Sequence, residues 1–189
     1  MGFRDNMDRR GNLEEATLTD IPTLRARARR HLDEGAVTQG YTADRETVLK
    51  LLNDALATEL VCTLRYRRHY YMAQGPHSEA AKAEFLEHAE QELAHADQLA
   101  ERIVQLGGEP DFNPASLTGR SHAEYVEADT LEDMIKENLV AERIAIDSYR
   151  EMIQYFGDKD PTSRRMLEDI LAVEEEHAED MSSLLGPKP

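Results

Sequence analysis

Apolar residues recur at three- and four-residue intervals along most of the chain, which is the pattern of helices with one buried face. Ala, Leu, Glu and Arg dominate, all good helix formers, and no run of β-branched residues bounded by turn signals interrupts them. Four long periodic segments stand out. The first runs from about Thr42 to Ala73 and is stopped by Gln74-Gly75-Pro76. The second follows Ser78, predicted as its N-cap, and stops at Gly107-Gly108. The third begins at Thr130, where Thr-Leu-Glu-Asp predicts a capping box with Asp133 in place of Glu, and ends at Gly157. The fourth opens with Asp160-Pro161, a cap followed by proline at the first helical position, and ends at Gly186-Pro187.

Short turns make antiparallel neighbours. The second and third segments are instead joined by GGEPDFNPASLTGRSHAEYVEAD, a connection of roughly twenty residues rich in turn formers. The expected fold is therefore all-α, a four-helix bundle with one long crossover between helices 2 and 3. It would occupy residues 42–189, behind an N-terminal extension of residues 1–41. Residues 1–20 of that extension are polar and expected to be mobile. Residues 22–34, PTLRARARRHLDE, predict a short basic helix starting at Pro22 and broken from Gly35 to Tyr41.

On each long helix a carboxylate falls among the apolar residues at 100° per residue. Glu59 lies with Val48, Leu52, Ala55, Tyr66 and Tyr70. Glu92 lies with Phe85, Leu99, Ile103 and Leu106. Glu142 falls within Leu131, Ile135, Ile146, Tyr149, Ile153 and Phe156, whereas Glu137 lies with the solvated residues. Glu174 shares a face with Leu167, Ile170 and Leu184. The second and fourth helices each add an imidazole one turn on, His95 and His177. Ionised carboxylates do not remain unpaired in a core, because desolvation costs of order several kcal/mol each. No Lys lies on these stripes, so four converging carboxylates imply bound metal, and a carboxylate-rich set with two imidazoles suits iron or manganese.

At this Glu content two Glu-x-x-His pairs are a weak signal; the spacing strengthens it. Glu59 and Glu92 stand 33 residues apart, and Glu142 and Glu174 stand 32 apart. Tyr66 follows Glu59 by seven positions, as Tyr149 follows Glu142. The two helical hairpins thus repeat one pattern, and four Glu with two His fit a dinuclear site with one Glu from each of two helices and Glu-x-x-His from the other two.

Charge and cysteine content narrow the field further. The net charge is −16, from 38 acidic and 22 basic residues. Residues 1–35 hold seven Arg and seven acidic residues, so the whole excess falls on the remainder. An acidic body disfavours nucleic acid and suits cations. The single cysteine, Cys62, excludes a disulfide framework within the chain and a cysteine-based zinc or rubredoxin-type site. No apolar run approaches a membrane span, so no membrane partner is expected, and the N-terminus lacks the apolar stretch of a secretory signal; a cytoplasmic location is the expectation.

The stretches LLNDALATELVCTLRYRRHY, QELAHADQLAERI, ENLVAERIAID and SRRMLEDILAVEEEHAEDM resemble the four helices of bacterioferritin, over about residues 46–185. The resemblance implies a ferritin-like bundle that is a ferroxidase, with two Fe ions per subunit, Mn or Zn being able to stand in their place. Carried over, Glu59 and His95 would hold one metal, Glu142 and His177 the other, and Glu92 and Glu174 would bridge. Tyr66 matches the tyrosine beside that centre. The methionine that binds haem in bacterioferritin, directly after the second-helix Glu, is here Leu93, so no haem is expected. Only LGPKP follows the fourth helix, where bacterioferritin has a fifth, which favours a homo-oligomeric shell of 12 subunits, as in the DNA-protecting Dps ferritins, over one of 24.

The implied chemistry is oxidation of two Fe(II) held ~3.5–4 Å apart by O₂ or H₂O₂, with iron stored inside the shell. Tyr66 would hydrogen-bond a bridging carboxylate or supply an electron, or simply pack in the core. Asn138, one turn before Glu142, is a candidate to support the ligands from behind. A manganese catalase or rubrerythrin relative, or a Dps-like DNA protector, are the alternatives. DNA contact through RARARR at 25–30 is possible but not favoured over packing of this segment on the acidic body. His88 reads as a buried polar partner and Cys62 as a small core residue beside Glu59. His31, His69, His77 and His122 are expected at the surface.

Overall fold

The computed structural model describes residues 18–76 and 78–186. It is all-helical over those residues: α1 Ile21–Arg27, α2 Arg45–Met72, α3 Ser78–Gln105, α4 Leu117–Arg120, α5 Leu131–Phe156 and α6 Pro161–Leu184, with a 3-10 turn at Leu32–Glu34. α2 packs along α3 and α5 along α6, and the two hairpins meet through α2 with α5 and α3 with α6. The predicted four-helix bundle and its long crossover are both present.

The helix ends follow from particular side chains. Thr130 caps α5 by accepting from the Asp133 amide at 3.1 Å, and its hydroxyl donates to the Asp133 carboxylate at 2.7 Å. Gly107 takes φ +75° so that α3 can close, with the Gly107 amide donating to Val104 and the Gly108 amide to Ile103, each at 2.9 Å. Ser78, expected as the N-cap of α3, lies inside the helix, and its hydroxyl donates to the Gly75 carbonyl at 2.9 Å.

Two apolar clusters fill the bundle, one toward each end. The first joins Leu52, Leu56, Leu99, Ile103, Tyr149, Phe156, Leu167 and Ile170. The second joins Tyr66, Phe85, Met134, Ile135 and Met181. In every long helix the stretch between the two clusters carries the polar residues predicted to point inward. The fold thus sandwiches one polar layer between two apolar plugs, and those plugs supply most of the driving force for assembly.

The crossover lies against the outer side of α2. Arg120 donates to the Asn53 carbonyl at 2.7 Å and to the Asp111 carbonyl at 2.8 Å, while the Asn53 side chain accepts from the Asp111 amide at 2.8 Å. Arg65 reaches the Glu124 carbonyl at 3.0 Å, and His69 Nε2 lies 3.1 Å from the Val126 and Glu127 carbonyls. α2 is therefore buried on two sides. This corrects the surface position expected for His69, which is fully buried. The short α4 within the crossover was not predicted; four residues give no periodicity to detect. His31 and His122 are exposed as expected, and His77 lies outside the described residues.

α1 ends seven residues short of the predicted Glu34. It buries none of its residues, so nothing holds the helix beyond the few turns its own hydrogen bonds support. Arg25, Arg27, Arg29 and Arg30 are exposed. None of them ion-pairs with a described residue of the acidic body.

Asp160 ties three elements together. It caps α6 through the Ser163 amide at 3.0 Å, accepts from Arg102 of α3 at 2.9 Å, and accepts from the Tyr41 hydroxyl at 3.1 Å. Burial raises its pKa, but the Ser163 and Arg102 interactions outweigh this and hold it below the usual range. Asp160→Ala would leave Arg102 buried without its counter-charge. The expected cost is about 3–5 kcal/mol, read from urea unfolding at neutral pH. Because the Asp160 pKa is depressed, its contribution is present above the unfolded-state pKa and lost on acidification, so the gap between variant and parent should narrow as pH falls.

Candidate metal centre

The polar layer brings all six predicted residues together: Glu59 from α2, Glu92 and His95 from α3, Glu142 from α5, Glu174 and His177 from α6. Each is at least 96% buried; the most exposed, His95, shows 4% of its surface. Their donor atoms form two overlapping groups, Glu59, Glu92, His95, Glu174 and Glu92, Glu142, Glu174, His177, each within 4.8 Å. Glu92 and Glu174 belong to both. His95 Nδ1 lies 2.8 Å from one oxygen of Glu174 and 3.4 Å from Glu59. His177 Nδ1 lies 3.5 Å from the other oxygen of Glu174 and 3.8 Å from both Glu92 and Glu142.

The helix geometry explains the convergence. Glu and His three residues apart project from one face of a helix. α3 and α6 each carry that pair, and α2 and α5 each present one Glu from the opposite side. The roughly equal spacing of Glu59 to Glu92 and of Glu142 to Glu174 puts all four carboxylates at one level of the bundle.

The residues fit a metal on the strength of what they lack. Glu59 Oε2, Glu92 Oε1, Glu142 Oε2, both Glu174 oxygens and both Nδ1 atoms of His95 and His177 are buried without a hydrogen-bond partner among the described residues. Seven such atoms converging on one place would impose a large desolvation cost. Two of the remaining oxygens are satisfied from behind. Tyr66 donates to Glu142 Oε1 and Tyr149 donates to Glu59 Oε1. Burial, then the neighbouring carboxylates, push both phenols well above their usual pKa, so they stay protonated and remain donors. Gln91 Oε1 accepts from His177 Nε2 at 2.7 Å, which leaves Nδ1 as a bare lone pair facing the carboxylates.

Two of these supports differ from expectation. Tyr66 bonds Glu142, which belongs to one group only, rather than a carboxylate common to both. Asn138 does not touch the carboxylates. It is fully buried, accepts from Arg65 at 2.8 Å and donates to His69 at 3.0 Å, so it braces α5 against α2. Sequence reasoning left Gln91 and Tyr149 out of the site. The matching +7 positions of Tyr66 and Tyr149 carried the signal for the second; nothing in the sequence marks Gln91. Cys62 is buried as expected, and burial raises its thiol pKa.

The fold is a four-helix bundle whose buried polar layer carries two overlapping groups of carboxylates and imidazoles able to hold metal. The chain belongs to the ferritin-like family, whose domain model matches residues 49–187. It is 35% identical over 150 residues to the DNA protection during starvation protein of Pyrococcus furiosus, covering 77% of this chain and 80% of that one. It is 32% identical over 141 residues to the bacterioferritin of Brucella melitensis, covering 73% and 82%. Among solved structures it is similar to the bacterioferritin-related protein of Bacteroides fragilis, described as a dodecameric thioferritin, with a TM-score of 0.74 and 31% identity over 78% of this chain and 88% of that one. No helix among the described residues is long and apolar enough to cross a membrane.

The metal-free protein should show the strain of this layer in its pH dependence. Burial and then Glu59 raise Glu174 to about 7. Burial opposes protonation of His95, but Glu174 and Glu59 outweigh it and raise the imidazole to about 10. Groups with raised folded-state pKa values favour folding at low pH and lose that contribution as pH rises. For Glu174 the loss runs from its ordinary 4.5 to about 7, and for His95 from 6.5 to about 10. Thermal unfolding of metal-free protein should therefore show Tm falling across that range. Added divalent metal should stabilise more at the alkaline end, since metal replaces protons. A Tm shift with metal that is independent of pH would contradict this.

Proposed function

We propose that the protein is a ferroxidase that oxidises Fe(II) at an intra-subunit dinuclear centre and stores the product as Fe(III) within a hollow oligomer. The observation that carries this reading is the set of seven buried, unpartnered ligand atoms shared between two overlapping groups. Glu59 and His95 would bind one iron, Glu142 and His177 the other, and Glu92 and Glu174 both. Mn or Zn would compete for the same donors.

Two Fe(II) are the substrate. Each gives one electron; with H₂O₂ as acceptor two hydroxides form, and with O₂ two protons are taken up and H₂O₂ is released. The chain's own residues set the conditions. Four carboxylates favour the higher charge of Fe(III) over Fe(II). Tyr66 and Tyr149 fix the outer oxygens of Glu142 and Glu59, and Gln91 fixes the ring of His177. The two apolar clusters keep water from the rest of the bundle interior.

Assembly into a shell of twelve is part of the proposal, supported by the 31% identity to a protein described as dodecameric. The division of the chain into an extension of residues 1–41 and a bundle of residues 42–189 is likewise retained. A DNA-protection role has weaker support: the α1 arginines are exposed, but the net charge of −16 repels phosphate.

Aerobic addition of Fe(II) to metal-free protein, followed by near-ultraviolet absorbance, tests the assignment. A fast phase should saturate at two irons per chain and should vanish in Glu92→Ala. Oxidation no faster than in buffer would remove the ferroxidase reading.

A further inference from the structure

Outside the six residues of the centre, a second group of metal-binding side chains remains without a role. Glu84 and His88 of α3 and Asp180 of α6 bring donor atoms within 4.8 Å of one another. His88 shows only 1% of its surface. Its ring stacks on His177 with centroids 3.9 Å apart, and its Nδ1 lies 3.2 Å from the Tyr66 hydroxyl.

The hydrogen-bond directions fix the state of this imidazole. Tyr66 has one proton, and it goes to Glu142. The Tyr66 oxygen must therefore accept from His88, which places a proton on Nδ1 and leaves Nε2 as a lone pair. That lone pair faces Asp180 Oδ2 at 3.4 Å and Glu84 Oε2 at 3.7 Å. Both distances exceed the ~2.7–3.2 Å of a hydrogen bond. Three acceptors thus converge with no donor between them. An ion with bonds of ~2.0–2.1 Å in tetrahedral geometry needs ligand atoms about 3.3 Å apart, close to the 3.4 Å between His88 and Asp180 and within reach of a small side-chain shift by Glu84 at 3.7 Å. The Glu84 and Asp180 side chains are 37% and 41% exposed, so an ion can enter from solvent and complete its shell with water.

We propose that Glu84, His88 and Asp180 form a third divalent-cation site on the flank of the bundle, joined to the buried centre through His88 and Tyr66. It takes a borderline-hard ion such as Fe(II), Zn(II) or Mn(II), and it holds that ion at the edge of the bundle beside the dinuclear site. The site stands on its own donors and does not require the dinuclear reading to be right.

Zn(II) binding to metal-free full-length protein, counted by calorimetric titration and by metal analysis after dialysis, tests it. The Glu84→Gln, Asp180→Asn double variant keeps His88 and changes only partly exposed side chains, so it should fold as the parent does. It should bind one Zn(II) per chain fewer than the parent. With the dinuclear centre intact the expected counts are three and two; if that centre binds nothing they are one and none. In Glu92→Ala the third site should remain. Equal Zn(II) stoichiometry in the parent and the double variant overturns the proposal, whatever the total.

Discussion

Everything in this bundle answers to one electrostatic constraint: four carboxylates share a single buried layer, and no described Lys or Arg ion-pairs with any of them. Glu92 and Glu174 lie between Glu59 and Glu142, and burial with mutual repulsion drives both pKa values upward. Glu59 and Glu142 are held low despite burial, by the closeness of the Glu92 carboxyl and His95 in one case and of His177 and the Glu174 carboxyl in the other. Without metal, protons occupy the middle of the layer. With metal, the same four carboxylates become the reason cations bind.

The two halves of the molecule meet that constraint in the same way. Each hairpin contributes a Glu, a Glu-x-x-His pair and a tyrosine, and each tyrosine crosses the bundle to the carboxylate of the opposite hairpin: Tyr66 of α2 to Glu142 of α5, and Tyr149 of α5 to Glu59 of α2. The symmetry stops one turn away. On α3 and α6 the second imidazole, His88, and the acids Glu84 and Asp180 have no counterpart on the Glu59 side among the described residues, so this cluster stands on one flank of the layer only.

Much of this was legible in the sequence because helical periodicity is a strong signal. A Glu at the centre of an apolar stripe, such as Glu142 between Ile135 and Tyr149, declares its direction from the sequence alone. The ends of the long helices were readable where a cap names itself, as at Thr130 and Asp160. What was not legible depends on tertiary neighbours. His69 and Arg65 lie off the stripe of α2, and the crossover lying over that face, together with Asn138 of α5, buries them. Asn138 shares the face of Glu142, yet the Arg65 guanidinium and His69 ring reach it first. Gln91 sits beside Glu92 in the chain, and its hydrogen bond to His177 depends on how α3 and α6 pack. The period of a helix reveals which residues face inward, but not which partner each one meets.

Anomalous diffraction from crystals loaded with Fe(II) under anaerobic conditions tests the central claim most directly. Two peaks per chain should lie within the six-residue layer, about 3.5–4 Å apart, with Glu92 and Glu174 reaching both. A layer without metal, or one ion held by one group while the other carboxylates pair through shared protons, would contradict the account.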